Sequence, residues 1–150
     1  MTDHVFAIQS WLEWAGARLI AMPEPRIKPA EPRVIWPDYA QDSHEVTTFR
    51  GKLSLRAAAP AKDEVAMVDK ILLLPNICSL PNVRRVLQVR ALVHPINYRH
   101  LYSWARISKL LHTSNYQVKS WHQKGLIEVA SKTPKSTLCE IKSFMEERLS

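Results

Sequence analysis

Five of the chain's ten prolines fall between residues 23 and 37, at Pro23, Pro25, Pro29, Pro32 and Pro37. Proline has no amide hydrogen to donate and drives the residue before it out of the helical region. Residues 23–37 can therefore be neither a helix nor a central strand. They are expected to form an extended, polyproline-like strap, with Trp36 and Tyr39 anchoring it to the body. No clean PxxP motif with a flanking basic residue occurs in a setting suited to an SH3-type ligand.

On either side of the strap the apolar residues follow a helical period. Val5, Ile8, Trp11, Leu12, Ala15, Leu19 and Ile20 predict an amphipathic helix over 3–21, with Trp14 off its stripe. Residues 40–60 have weak pattern and read as a linker or irregular wrap. A helix is predicted after Pro60, with Val65, Val68, Ile71 and Leu72 inward and Asp63 and Glu64 in its first turn, where the helix dipole favours acids. Pro75 stops it. Another helix is predicted from Pro81 towards Pro95, with Val83, Val86, Leu87 and Leu92 inward and Arg84, Arg85 and Arg90 largely off the stripe. After Pro134, Thr137 and Glu140 form a T-x-x-E capping box. Leu138, Ile141, Phe144 or Met145, and Leu149 then continue as a short amphipathic helix, which either docks on its own chain or pairs across a dimer. The expected fold is mainly α, in three parts: 1–60 (helix plus strap), 61–133 (helical DNA-binding domain) and 134–150 (C-terminal helix).

The formal net charge is +7, and it is unevenly placed. Residues 1–60 carry seven basic and seven acidic residues, so the excess lies wholly in 61–150. Between Ile71 and Lys135 there are ten Lys/Arg and a single acid, Glu128. A stretch this basic within an apolar-rich, folding segment points to a polyanion partner.

The segment Ser103–Ala130 combines that charge with a specific local pattern. Ser103 is a good N-cap, because its hydroxyl can accept from a free first-turn amide. Trp104, Ile107 and Leu110 or Leu111 follow at helical spacing. His112-Thr113-Ser114 breaks the pattern, and Ser114 is a second N-cap. A further helix places Val118, Trp121 or His122, Leu126 and Val129 inward. Two capped helices separated by a short break form a helix-turn-helix pattern, with Ile107 and Val118 sharing one small core. The polar residues of the second helix can read base edges: Asn and Gln pair with adenine, and Lys with guanine or phosphate. The candidate DNA-binding residues are Arg99, Ser103, Arg106, Lys109, Thr113, Ser114, Asn115, Tyr116, Gln117, Lys119, Ser120, Gln123 and Lys124. Of these, Arg106 and Lys109 would hold phosphates, while Asn115, Gln117, Lys119, Ser120 and Gln123 would face bases. Gly125 leaves two versions open. The second helix either runs on through it, or ends there with Leu126–Val129 as a strand and Ala130–Thr137 as a small β-wing.

Trp104-x-x-Ile107, the turn ending in Ser114, Val118 and the Leu126-x-x-Val129 exit resemble the sigma-factor region-4 type of helix-turn-helix. With Leu19, Pro23, Pro25, Arg26, Trp36-Pro37 and the helix over 63–74, residues 5–132 are similar to an uncharacterised family found in alphaproteobacteria and their prophages. The resemblance implies a helical DNA-binding protein and brings no catalytic residues. It departs from the pattern at His112, where a small residue or glycine is usual, and in a second helix less rich in arginine than the pattern implies.

No apolar run approaches the roughly 18–20 residues of a membrane span, and no secretory signal is expected, because the first residues lack its basic segment, apolar run and small-residue cleavage site. Cys78 and Cys139 form no CxxC, so a reducing, cytoplasmic setting is expected. The six histidines show no ligand spacing, and no nucleotide-cradling glycine loop occurs. Neither enzyme activity, a metal nor another cofactor is expected. The expected function is that of a bacterial or prophage transcriptional regulator binding double-stranded DNA, as a dimer rather than a ring if it oligomerises. Two alternatives stand beside it. One is a phage DNA-packaging component like a small terminase subunit. The other is an adaptor whose strap binds a protein such as RNA polymerase.

Overall fold

A computed structural model describes residues 2–22 and 58–149. The proline-rich strap, Trp36, Tyr39 and residues 40–57 of the expected linker lie outside the described residues. Within the described residues, the regular elements are six α-helices and one short 3-10 turn, with no strand. The helices are α1 (Thr2–Ala21), α2 (Lys62–Leu72), α3 (Pro81–Ala91), α4 (Trp104–Leu110), α5 (Asn115–Lys132) and α6 (Lys135–Leu149).

Helix α1 buries the face its period foretold, with Ile8, Trp11, Leu12 and Ala15 in the core. They meet Val68 and Ile71 of α2, Val83, Leu87 and Ala91 of α3, Leu126 and Val129 of α5, and Ile141 and Met145 of α6. A second cluster lies beneath α4, where Ile107 and Val118 join Val86, Val89, Leu92 and Tyr102. The small core expected between Ile107 and Val118 exists, and α3 forms its floor. Burying an aliphatic side chain contributes about 1.5–3 kcal/mol, so these two clusters hold the helices together.

Both helical glycines mark crossings. A Cβ on Gly16 would fall 1.9 Å from the Ala91 carbonyl oxygen, so α1 passes over the end of α3 backbone to backbone. A Cβ on Gly125 would fall 2.6 Å from Val83 Cγ1 and 2.9 Å from Leu87 Cδ1. Gly125 has no left-handed φ and lies inside α5, which continues to Lys132. The β-wing alternative is therefore corrected. Leu126–Val129 is helix packed against the core, and Ala130–Thr137 contains the end of α5 and the start of α6 rather than a wing.

Two further boundaries differ from expectation. Helix α3 ends at Ala91, short of Pro95. Pro95 forces the residue before it into extended backbone, and Leu92–His94 instead turn back on Arg99–Leu101. His94 N–H donates to the Arg99 carbonyl (2.9 Å) and Leu101 N–H to the Leu92 carbonyl (3.1 Å). Helix α6 begins at Lys135, before Thr137. Its first backbone bond runs from Leu138 N–H to the Pro134 carbonyl, which puts Thr137 and Glu140 inside the helix. The capping-box reading is therefore corrected, and Glu140 pairs with Lys70 instead.

Helix α6 docks within its own chain. Phe144 meets Trp14 edge to face, with ring centroids 6.0 Å apart. Arg148 reaches Asp63 and the buried Glu64 of α2. No helix among the described residues is long and apolar enough to cross a membrane.

Candidate nucleic-acid interface

Helices α4 and α5 are joined by four residues, and both serine caps form. The N–H of Arg106 donates to Ser103 Oγ (3.3 Å), and the N–H of Gln117 donates to Ser114 Oγ (3.2 Å). Each hydroxyl thus satisfies one amide that the helix start leaves without an internal partner. Their first role is to set where α4 and α5 begin.

The turn between them closes α4 in a Schellman arrangement. His112 N–H donates to the Lys109 carbonyl (3.3 Å), and Thr113 N–H to the Ser108 carbonyl (3.0 Å). This geometry requires a left-handed residue at His112, whose φ is 53°. The missing turn glycine is therefore replaced by a histidine in the conformation glycine usually supplies.

Beneath the pair, Arg90 at the end of α3 lies over the Trp104 ring, 4.1 Å from its centroid, and donates to the Tyr102 carbonyl (2.9 Å). The His122 ring meets the same Trp104 edge to face at 5.2 Å. Burial, followed by the nearby charges of Arg90 and His100, pushes the His122 imidazole down to about 4. His100 in turn faces Glu13 of α1 (3.5 Å) and the Arg90 carbonyl (3.0 Å). Arg90, Trp104 and His122 are thus positioning residues that lock α4 and α5 onto α3. The sequence assigned Arg90 only to a position off the apolar stripe, and its partner is fourteen residues away.

His94, followed by Pro95, serves a turn. Its Nδ1 accepts from the N–H groups of Ile96 and Asn97, both at 3.2 Å. Burial lowers its pKa, in keeping with a neutral ring acting as acceptor.

The outward surface carries the remaining candidates. Arg99 is exposed in the loop before α4, and Lys109 is exposed near the end of α4. Arg106 is half-buried, with its guanidinium 5.1 Å from the centroid of Tyr102. Thr113 is half-buried in the turn. On α5, Asn115, Tyr116, Lys119, Gln123 and Lys124 are exposed, while Gln117 and Ser120 are half-buried. The helical period of 3.6 sorts these residues into rows. Tyr116 and Ser120 lie opposite the buried stripe of Val118, Gly125, Leu126 and Val129, with Gln123 on one side of that line and Lys124 on the other. Asn115 and Lys119 fall on one flank, and Gln117 and Lys124 on the other. Ile127 extends the central row by one turn and was not among the sequence candidates. Its exposure beside Gln123 is a product of the long α5.

The ion pairs are concentrated elsewhere. Arg148 and Arg18 meet Glu64, Lys70 meets Glu140, Lys132 meets Glu128 and Lys142 meets Glu146. Among the described residues, no carboxylate lies within ion-pair distance of Arg99, Lys109, Lys119 or Lys124. No group of three or more His, Cys, Asp or Glu side chains among the described residues is placed to hold a metal ion. In comparisons with known proteins, no family model, curated protein or solved structure matches the chain.

Proposed function

We propose that the chain is a double-stranded DNA-binding protein whose α4–α5 pair acts as a helix-turn-helix. In this reading α5 enters the major groove and α4 crosses the phosphate backbone. The observation that carries it is the separation of charge. The lysines of α4 and the first three turns of α5 face outward without a described carboxylate partner, whereas most cations of α2 and α6 are paired with acids. Phosphate contacts supply most of the sequence-independent affinity for DNA, and Arg99, Arg106, Lys109, Lys119 and Lys124 are the groups that would make them. Ser103, Thr113 and Ser114 contribute through the caps and the turn. A role in bacterial or prophage transcription is the biological setting consistent with the region-4-like pattern.

The DNA-packaging alternative is less favoured. It needs α1 or α6 at subunit contacts, yet their apolar faces are used inside the chain, through Ile8, Trp11 and Leu12 and through Ile141 and Met145. Electrophoretic shift of a random-sequence duplex by the full chain tests the proposal. A salt-sensitive complex supports it, and no complex at low salt refutes it.

A further inference from the structure

The rows on α5 carry more than a site for phosphates. On the face of α5 turned away from the core, the row formed by Tyr116, Ser120, Gln123 and Ile127 contains no charge, with Lys119 beside it on one side and Lys124 on the other. Tyr116 is the most exposed large apolar side chain among the described residues, at 82%. An aromatic ring left so open on the first turn of a helix adds nothing to the core, and the second cluster closes without it.

We infer that α5 reads A·T base pairs, with Tyr116 packed on a thymine methyl and Gln123 paired with an adenine. This rests on the DNA-binding reading proposed above. In the major groove, thymine is distinguished by its C5 methyl, which apolar side chains contact, and adenine by an acceptor–donor pair that Asn and Gln match. Guanine is read chiefly by Arg or Lys. The α5 sequence from Asn115 to Lys132 contains no arginine, and its lysines flank the row rather than lie on it. Lys119 and Lys124 are therefore placed for the phosphates on the two walls of the groove, while the central row faces the bases. From Tyr116 to Ile127 the row extends roughly 16 Å at 1.5 Å per residue, comparable to about five base pairs at 3.4 Å each.

The test uses the full chain and two duplex pools of equal length, one A·T-rich and one G·C-rich, at fixed salt. Preferential binding of the A·T-rich pool is expected. The best-bound duplex is then remade with uracil in place of thymine, which removes only the methyl groups. Loss of one methyl contact should weaken binding about fourfold. Tyr116→Ala should bind the thymine and uracil duplexes equally, and because the side chain is exposed the variant should keep its helical circular dichroism. Equal binding of both pools, or a uracil effect undiminished in Tyr116→Ala, overturns the assignment while leaving DNA binding intact. Failure to bind either pool overturns the DNA-binding reading itself, and this assignment with it.

Discussion

Gly125 of α5 sits against Val83 of α3 so closely that a Cβ would lie 2.6 Å from Val83 Cγ1. Alanine is the better helix former by about 1 kcal/mol, yet a contact this short with a stiff β-branched side chain requires a shift. Gly125→Ala is expected to destabilise the fold by about 1–2 kcal/mol net, and Val83→Ala in the same chain should recover part of the loss. Gly16→Ala should cost more, because its obstacle is the backbone carbonyl of Ala91, 1.9 Å away, which cannot rotate aside. Urea unfolding of the variants checks the ranking. A stabilised Gly125→Ala would mean that α5 does not cross α3 at this point.

His112 holds a left-handed conformation at the end of α4. A residue with a Cβ is strained there, and glycine is not. His112→Gly is therefore expected to raise stability by up to about 1 kcal/mol, and His112→Val to lower it. The urea midpoint should move with the slope unchanged.

Ser114→Ala removes the acceptor for Gln117 N–H. The expected loss is about 1 kcal/mol. Hydrogen exchange should show it first in the opening turn of α5, because a cap acts locally.

The His122 imidazole is pushed down to about 4 by burial and by Arg90 and His100. In the unfolded chain a histidine titrates near 6.5. Between these values the unfolded state binds the extra proton, so stability rises with pH across the window. The contribution is complete above about pH 6.5 and is lost as the pH falls towards 4, and it reaches at most about 3 kcal/mol. His122→Phe, which keeps a ring against Trp104, should flatten this acid limb. An unchanged limb would show that His122 is not the group responsible.

How much of this was legible depended on whether the cause was local. The caps at Ser103 and Ser114 were readable because a hydroxyl and the amide it serves lie three residues apart. The shared core of Ile107 and Val118 followed from spacing. Gly125 was ambiguous because glycine suits both a helix end and a helix crossing, and only its neighbour Val83, far back in the chain, decides between them. Thr137 and Glu140 had the form of a capping box, but Pro134 starts α6 earlier and leaves the motif mid-helix. The stacking of Arg90 on Trp104 had no local signature at all. The polar residues of α5 were readable as a set, while their division into a central row and two flanks needed the buried stripe to be known.

The central claim is that the lysines around α4 and α5 meet phosphates. Binding of a fluorescent duplex measured across a salt series tests it most directly. The plot of log affinity against log salt should be linear, with a slope of about −0.9 for each phosphate contacted, and Lys119→Ala or Lys124→Ala should each reduce that slope by about 1. Affinity independent of salt, or a slope unchanged by both substitutions, would contradict the account.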